Sequence, residues 1–390
     1  MNIAILIPTL AYGGAERVAA EISKFFSGNG HNIYIFTEAR RSEKYDFVGK
    51  IVKLKDSAGC YSDFTNWHGT LHGLLKRAAE MRQLKRQYKI DVSISFMELY
   101  NMVNILSRTT DKVIVRVCTV LSACSSVSKL CNVRLIQYLY NRADCVVSIS
   151  NYIMHDLVNT YGVNRKKIKV IPNSVETSEG QAVNGEWVYG ENTIICLARL
   201  CGVKQQKLLI EIFSLVKKEM PSAKLLLVGN DQGEYAAKVK KNIRKSGLTE
   251  DVFLTGHIGN PRYYLEHSKL FVLLSKVEGF GNSTIEALSA GVPVMCMDSP
   301  GASREILAPH TKRKELQETD FAQYGVLLPF VDEMERNNTS KRRIDLISNT
   351  IVDLLKDEKL RAHYARQGSV RASMFGLERI GRMWNQILED

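Results

Sequence analysis

Short apolar runs of strand length alternate with helix-patterned segments along almost the whole chain, and this alternation breaks once and then restarts. Candidate strands at 2–7, 32–36, 91–95, 112–116, 145–148 and 167–171 are separated by segments such as 15–27, where Val18, Ile22, Phe25 and Phe26 form one apolar stripe at helical spacing. Such alternation calls for a parallel sheet covered by helices on both faces. Residues 172–190 are polar and carry Pro, Gly and Ser, so they read as a linker. A second series restarts at Asn192, with strands expected at 193–197, 223–228, 252–255, 270–274, 293–297 and 326–328, and helices at 205–218, 235–246, 261–267, 283–290 and 303–306. Two series of similar size in 390 residues imply two Rossmann-like α/β domains, 1–175 and 190–375, facing each other across a cleft. Ligands in such sheets bind outside the carboxyl ends of the strands. The stretch from Lys356 is helical and charged, with late apolar positions at Phe375, Ile380, Met383, Trp384, Ile387 and Leu388, so a final helix at 376–390 is expected to fold back on the first domain.

Composition narrows the function classes. No window approaches the apolar length of a membrane span, and the opening Met-Asn-Ile-Ala-Ile-Leu-Ile reads as a first strand and not as a signal peptide. None of the eight cysteines forms a C-x-x-C pair, and several sit inside apolar runs, which fits buried thiols in a reducing cytoplasm. The formal charge of +12 suits an anionic partner: nucleic acid, a membrane surface or a phosphorylated substrate. The basic residues are not interleaved with aromatics in any nucleic-acid-binding module, so no nucleic acid is expected as a partner.

The segment Val277-Glu278-Gly279-Phe280-Gly281-Asn282-Ser283-Thr284-Ile285-Glu286-Ala287-Leu288 runs from a strand through a glycine-bearing loop into a helix. Gly279 and Gly281 allow a close backbone approach to a ligand, and the helix start offers unpaired N–H groups to a phosphate. Asn282 or Ser283 is the expected cap of that helix. Glu278 and Glu286 supply carboxylates that accept from sugar hydroxyls. On composition alone an ordinary tight turn followed by a surface glutamate is an equal reading, because a Gly-rich loop is a weak motif.

That segment, with its continuation into Ser289-Ala290-Gly291-Val292-Pro293-Val294, resembles the E-x7-E signature of glycosyltransferase family four. Other stretches agree in order and spacing: Gly13-Gly14-Ala15-Glu16-Arg17, Ile171-Pro172-Asn173-Ser174-Val175, Leu197-Ala198-Arg199-Leu200 with Lys204, Leu226-Leu227-Val228-Gly229, and Ser299-Pro300-Gly301-Ala302-Ser303-Arg304-Glu305-Ile306. The resemblance spans nearly the whole chain, specific in the second half and loose in the first. It implies the GT-B fold and a retaining enzyme of the bacterial cell-surface polysaccharide type, transferring a hexose or N-acetylhexosamine from a nucleotide-sugar. UDP is the commoner carrier in that family. By the same resemblance, Arg199 and Lys204 hold the donor diphosphate and Glu278 contacts the transferred sugar. Glu286 holds the ribose hydroxyls, with Gly279, Phe280, Gly281, Asn282, Ser283, Thr284 and Ile285 around the donor, and Gly13 and Gly14 approach its phosphates from the other domain. Two cations can neutralise the leaving diphosphate without a metal, and no Asp-x-Asp motif stands in a suitable loop, so neither metal nor cofactor is expected.

The chain departs from the family pattern in two places. Gln205 follows Lys204 where glycine is usual, so the local turn is expected to differ. The first-domain stretch Val115-Arg116-Val117-Cys118-Thr119 carries Cys118 where many members have a histidine, and none of the eight histidines has a positional claim to replace it. Arg116, Thr119 and Asn173 are the remaining candidates for sugar or acceptor contacts. The segment 71–89 is a basic amphipathic helix, with Leu74, Ala78, Met81, Leu84 or Lys85, and Tyr88 at helical spacing and Glu80 as its one acid. Its charge suits an anionic membrane surface, which leads to an acceptor on a lipid diphosphate carrier and a location in the cytoplasm, peripheral at the inner face of the membrane. Two other readings stay open on sequence: a nucleotide-sugar-binding protein without transfer activity, and an epimerase or phosphorylase of the same shape. A dehydrogenase is weaker, since Gly13-Gly14 lacks the G-x-G-x-x-G fingerprint.

Overall fold

The computed structural model describes residues 1–10, 13–38, 45–54, 71–123, 132–175, 189–312 and 315–389. Within these the chain forms two units, Met1–Ser174 with Leu377–Asp390, and Val175–Gly376. Of the expected linker, residues 176–188 lie outside the described residues, as do Cys60, Cys124 and Cys131.

The first unit runs β1 (Asn2–Leu6), α1 (Gly14–Gly28), β2 (Asn32–Thr37), β3 (Lys50–Lys53), α2 (Leu71–Gln87), β4 (Val92–Phe96), α3 (Glu98–Leu106), β5 (Lys112–Val117), α4 (Val133–Tyr140), β6 (Cys145–Ser148), α5 (Asn151–Asn159) and β7 (Ile168–Val170). Its sheet has the order β3-β2-β1-β4-β5-β6-β7, and every pairing is parallel. Strands covered on both faces read as continuous apolar runs, and Ile3 to Leu6 and Val113 to Val115 are all fully buried.

The second unit runs β8 (Thr193–Leu197), α6 (Gln206–Glu219), β9 (Lys224–Val228), α7 (Glu234–Lys245), β10 (Val252–Gly256), α8 (Arg262–Glu266), β11 (Leu270–Leu273), α9 (Asn282–Ser289), β12 (Val294–Met297), α10 (Ser303–Leu307), β13 (Asp320–Phe321), β14 (Val326–Leu328), α11 (Asn338–Lys356) and α12 (Glu358–Ser373). Its sheet order is β10-β9-β8-β11-β12-β14-β13, parallel except for the β13–β14 pair. Both sheets are therefore Rossmann-like. The strand order reverses between β1 and β4 in the first and between β8 and β11 in the second, and such reversal points are where ligands bind in open α/β sheets.

The final helix, α13 (Leu377–Glu389), belongs to the first unit. Ile380, Trp384, Ile387 and Leu388 join the core formed by Ile3, Ile5, Val18, Ile22 and Phe26. The indole ring of Trp384 meets Phe26 edge-on, with ring centroids 6.3 Å apart. Gly381 lets the two helices approach closely, because a Cβ there would lie 2.2 Å from the ring of Phe25.

The structure corrects the reading of α2. Leu74, Ala78, Met81 and Lys85 form its buried stripe, whereas Leu84 is only half-buried. Lys85 is thus an interior residue and not part of a solvated basic face. Its ammonium donates to Asp111 at 2.8 Å, to Asn104 Oδ1 at 2.6 Å and to Ser93 Oγ at 3.2 Å. Burial pulls its pKa down to about 8, and the Asp111 carboxylate opposes that shift. Such a pair survives in the interior only because its remaining hydrogen-bonding capacity is met. Lys76, Arg82, Arg86 and Lys89 remain on the outside of the segment.

Candidate functional site

The expected donor-binding residues of the second unit come together at its strand reversal. Arg199 and Lys204 follow β8, and Glu278 to Gly281 follow β11. Each loop is tied down by backbone. Ala198 N–H donates to the Val228 carbonyl at 2.9 Å and Leu200 N–H to the Asn230 carbonyl at 3.1 Å, which straps the Arg199 loop onto the end of β9. Gly229 permits this contact. Its φ is +153°, and a Cβ would lie 2.1 Å from the Ala198 carbonyl oxygen. The Lys276 N–H donates to the Val203 carbonyl at 2.8 Å, joining the two loops.

Glu278 is held on its other side by the 299–306 element. Its N–H donates to the Pro300 carbonyl at 3.0 Å, and its carbonyl accepts from Ala302 N–H at 3.1 Å. Gly301, at φ +129°, is the residue crossed, and any side chain there would strike the Glu278 carbonyl. Arg304 is buried and forks onto Asp298, with Nη2 2.7 Å from Oδ2, which anchors α10 beneath this contact. The Glu278 backbone is thus fixed from both sides.

That side chain forms an ion pair with Lys204, and both groups are mostly enclosed, at 18% and 12% exposure. Arg199 is exposed and makes no ion pair among the described residues. The loop after β8 therefore carries one exposed guanidinium, Arg199, and one internally neutralised ammonium, Lys204.

Gln205 explains how the loop closes without glycine. It adopts φ 53° and ψ 39°, the left-handed region that favours glycine, and its side chain is fully buried. The amide Nε2 donates to the carbonyls of Leu274 at 2.8 Å and Val331 at 2.9 Å, while Oε1 accepts from Glu333 N–H at 2.7 Å. Three hydrogen bonds to buried backbone offset the conformational cost. The turn itself therefore has a left-handed geometry, and glutamine pins it to three other segments.

At α9 the expected cap is corrected. Gly281 is the N-cap, at φ +90°, with no side-chain cap, and Asn282 and Ser283 already lie within the helix. The N–H groups of Thr284 and Ile285 turn back to the Gly281 carbonyl at 2.9 and 3.3 Å, so the donors of the first turn left for a ligand begin earlier than expected. The Thr284 and Ile285 side chains are buried, Thr284 Oγ1 lying 3.5 Å from Cys296 Sγ. The Phe280 side chain packs edge-on against Phe375, with ring centroids 5.4 Å apart, and anchors the loop inward. Glu286 sits half-buried on the second turn of α9, and Gly279 is half-buried before it.

In the first unit, Gly13 is the N-cap of α1 and Gly14 its first residue. The Gly13 backbone is extended, so no glycine is required by conformation. The space beside it is filled by the Glu16 carboxylate, 2.2 Å from where a Cβ would stand. The positive end of α1 therefore already faces an acid.

Arg116 and Asn173 were expected among sugar or acceptor contacts, and the structure turns them to each other. Arg116 is fully buried, its Nη2 lies 2.7 Å from Asn173 Oδ1, and its guanidinium stacks over Phe96 and Trp384. Thr119 is half-buried just beyond β5. Burial pushes the neighbouring Cys118 thiol up to about 11, so it is neutral at physiological pH and cannot take over a histidine's titration.

Two residues escaped sequence reasoning. Glu98 opens α3 directly after β4, at the strand reversal of the first sheet. It is buried, its Oε1 has no partner among the described residues, and burial raises its carboxyl above the usual range. The preceding Met97 takes φ 71°, a strained value for a non-glycine residue. Glu333 receives Tyr235 Oη at 2.9 Å and Lys207 Nζ at 3.1 Å beneath the Gln205 turn. No local pattern marks either acid. The one available signal was the place of Glu98 immediately after a predicted strand.

Known proteins resemble the chain over both units. The family described as Glycosyltransferase Family 4 matches residues 12–179, and Glycosyl transferases group 1 matches residues 182–316. An uncharacterized glycosyltransferase of Methanocaldococcus jannaschii is 29% identical over 267 residues, 65% of either chain. The N-acetylgalactosamine-N,N'-diacetylbacillosaminyl-diphospho-undecaprenol 4-alpha-N-acetylgalactosaminyltransferase of Campylobacter jejuni is 25% identical over 312 residues, 78% of either chain. Among solved structures, Anabaena HepE in complex with UDP and glucose superposes with a TM-score of 0.73 at 17% identity, covering 100% of this chain and 99% of that one.

Proposed function

This chain is a glycosyltransferase of the family-four, GT-B type, and from that premise we propose that it moves a hexose or N-acetylhexosamine from a UDP-linked donor, with retention, to a growing lipid-linked surface glycan. The observation that carries the reading is the Lys204–Glu278 pair, with the exposed Arg199 on the same loop as Lys204, at the strand reversal of the second sheet.

In the transfer the bond from the anomeric carbon to the diphosphate oxygen breaks, and negative charge builds on that oxygen. Arg199 and Lys204 are the groups that stabilise it, and the start of α9 adds its dipole. Without donor, Lys204 is neutralised by Glu278. An arriving diphosphate competes for the ammonium and releases the Glu278 carboxylate toward the sugar hydroxyls. Glu286 takes the ribose hydroxyls. The acceptor hydroxyl attacks from the face the diphosphate leaves and passes its proton to that diphosphate, so no dedicated base is required. Two cations carry the charge, and the reaction needs no metal.

The acceptor side belongs to the first unit. The lipid-linked substrate in the name of the Campylobacter relative supports a lipid diphosphate carrier, and the outward Lys76, Arg82, Arg86 and Lys89 support an anionic surface at the cytoplasmic side of the membrane. Among the described residues no helix is long and apolar enough to cross a membrane. The test is turnover of UDP- and GDP-hexoses and -N-acetylhexosamines on a lipid diphosphate glycan, in excess chelator, with the anomeric proton of the product read by NMR. Retained configuration and chelator-insensitive turnover are expected. An inverted centre, or loss of turnover on chelation, overturns the mechanism.

A further inference from the structure

The amino-terminal edge of the first sheet, opposite the strand ends where ligands of such sheets bind, carries a groove of about 590 Å³. It is built where β5, β6 and β7 begin, and Ile387 of α13 closes one side. Among the described residues its charged lining comprises Arg108, Lys112, Lys166, Lys167 and Lys169 against Asp111 and Asp144.

Both carboxylates are already committed. Asp111 receives Lys85 at 2.8 Å, Ser93 Oγ at 2.6 Å and Thr109 N–H at 2.8 Å. Asp144 pairs with Arg108 and accepts from Val113 N–H at 2.7 Å. Two of the remaining cations are held by backbone carbonyls. Lys112 Nζ donates to the Ile387 carbonyl at 2.5 Å and Lys167 Nζ to the Ala143 carbonyl at 2.8 Å. Lys166 is exposed. None of these three has a carboxylate partner among the described residues. A concave surface that gathers ammonium groups while its acids are spent on other partners concentrates positive potential, and that potential is relieved by a bound anion. Carbonyl bonds to Lys112 and Lys167 also fix where those charges stand, so the ordering cost is met before a ligand arrives.

We propose that this groove is a second anion site, separate from the donor site, that takes a ligand bearing more than one phosphate group. The inference does not rest on the transfer reading, because it concerns the opposite edge of one sheet and none of the residues assigned to the donor.

Binding of inorganic tripolyphosphate to the full chain, measured by calorimetry at low salt with the donor site saturated by UDP, tests it. The double variant Lys166→Glu with Lys169→Glu reverses charge at two exposed positions. A control, Lys245→Glu with Lys341→Glu, makes the same net change at exposed positions of the second unit. The wild type and the control should bind alike, and the groove variant should lose about tenfold or more in affinity, with its melting temperature unchanged. Parallel sedimentation with vesicles containing cardiolipin, a lipid with two phosphate groups, identifies the source. Vesicle binding lost in the groove variant alone assigns the site to lipid headgroups, and vesicle binding kept assigns it to soluble phosphate. The proposal is overturned if the wild type does not bind tripolyphosphate beside UDP, or if the groove variant binds as tightly as the control.

Discussion

Replacing Gln205 separates the conformational cost of the turn after Lys204 from the hydrogen bonds that offset it. Gln205→Gly removes the left-handed penalty, about 1 kcal/mol for a residue with a Cβ. It also leaves the carbonyls of Leu274 and Val331 and the N–H of Glu333 without their partner, in surroundings where Leu274 and Val331 are each 1% exposed. An unsatisfied buried polar group costs about 1–3 kcal/mol, and water entering the vacated space recovers part of that. The net expectation is a loss of about 2–5 kcal/mol. Gln205→Ala loses the same bonds and keeps the left-handed cost, so it should fall about 1 kcal/mol below the glycine variant. Differential scanning calorimetry, following the transition of the second unit, should rank wild type above glycine above alanine. At roughly 2–4 °C per kcal/mol for a unit of this size, the glycine variant melts about 4–20 °C lower. A glycine variant at or above wild type would refute the hydrogen-bond argument, and an alanine variant equal to glycine would refute the backbone argument.

Three further outcomes are expected. Arg199→Ala should lower kcat by about 10²–10³-fold while leaving stability within about 0.5 kcal/mol, whereas Lys204→Ala should lower both, because it strands the largely enclosed Glu278 carboxylate; steady-state kinetics and melting curves on the two variants distinguish these effects. Glu98→Gln tests a carboxyl whose folded pKa is raised by burial: the wild-type group adds stability below its unfolded pKa and loses it as pH climbs through the folded value, so urea midpoints should shift in favour of the glutamine variant as pH rises from about 4 to 8. Gly381→Ala should destabilise the first unit by about 1–3 kcal/mol, since its Cβ would lie 2.2 Å from Phe25 Cε2, and a ring displacement should be visible in the aromatic NMR signals of the variant.

The sequence made the sheets legible because each strand is covered on both faces and so reads as an unbroken apolar run bounded by turns. Ile3 to Leu6 and Leu225 to Val228 are examples. The second unit's cluster was legible because its residues stand in loops directly after strands, where spacing along the chain translates into proximity. Lys85 was not legible. Helical periodicity placed it equally with Leu84, and only a buried acid on another element, Asp111, makes the interior position tenable. The same holds for Arg116, whose partner Asn173 is remote in sequence, and for the Gln205 turn, whose three hydrogen-bond partners lie in segments that no local pattern connects to it. Capping of α9 was misassigned because Asn and Ser are favoured caps, whereas the left-handed backbone that precedes the helix selects Gly281.

The placement of α13 has a consequence for how the molecule folds. Ile380, Trp384 and Ile387 complete an interior whose other walls come from residues between Ile3 and Ile171, and the whole of the second unit, Val175–Gly376, intervenes between the two sets. The first unit is thus discontinuous in sequence, whereas the second is the single stretch Val175–Gly376. A core that closes only through so distant a segment has more long-range contacts to form than the continuous second unit, so in refolding from denaturant the first unit should be the slower of the two.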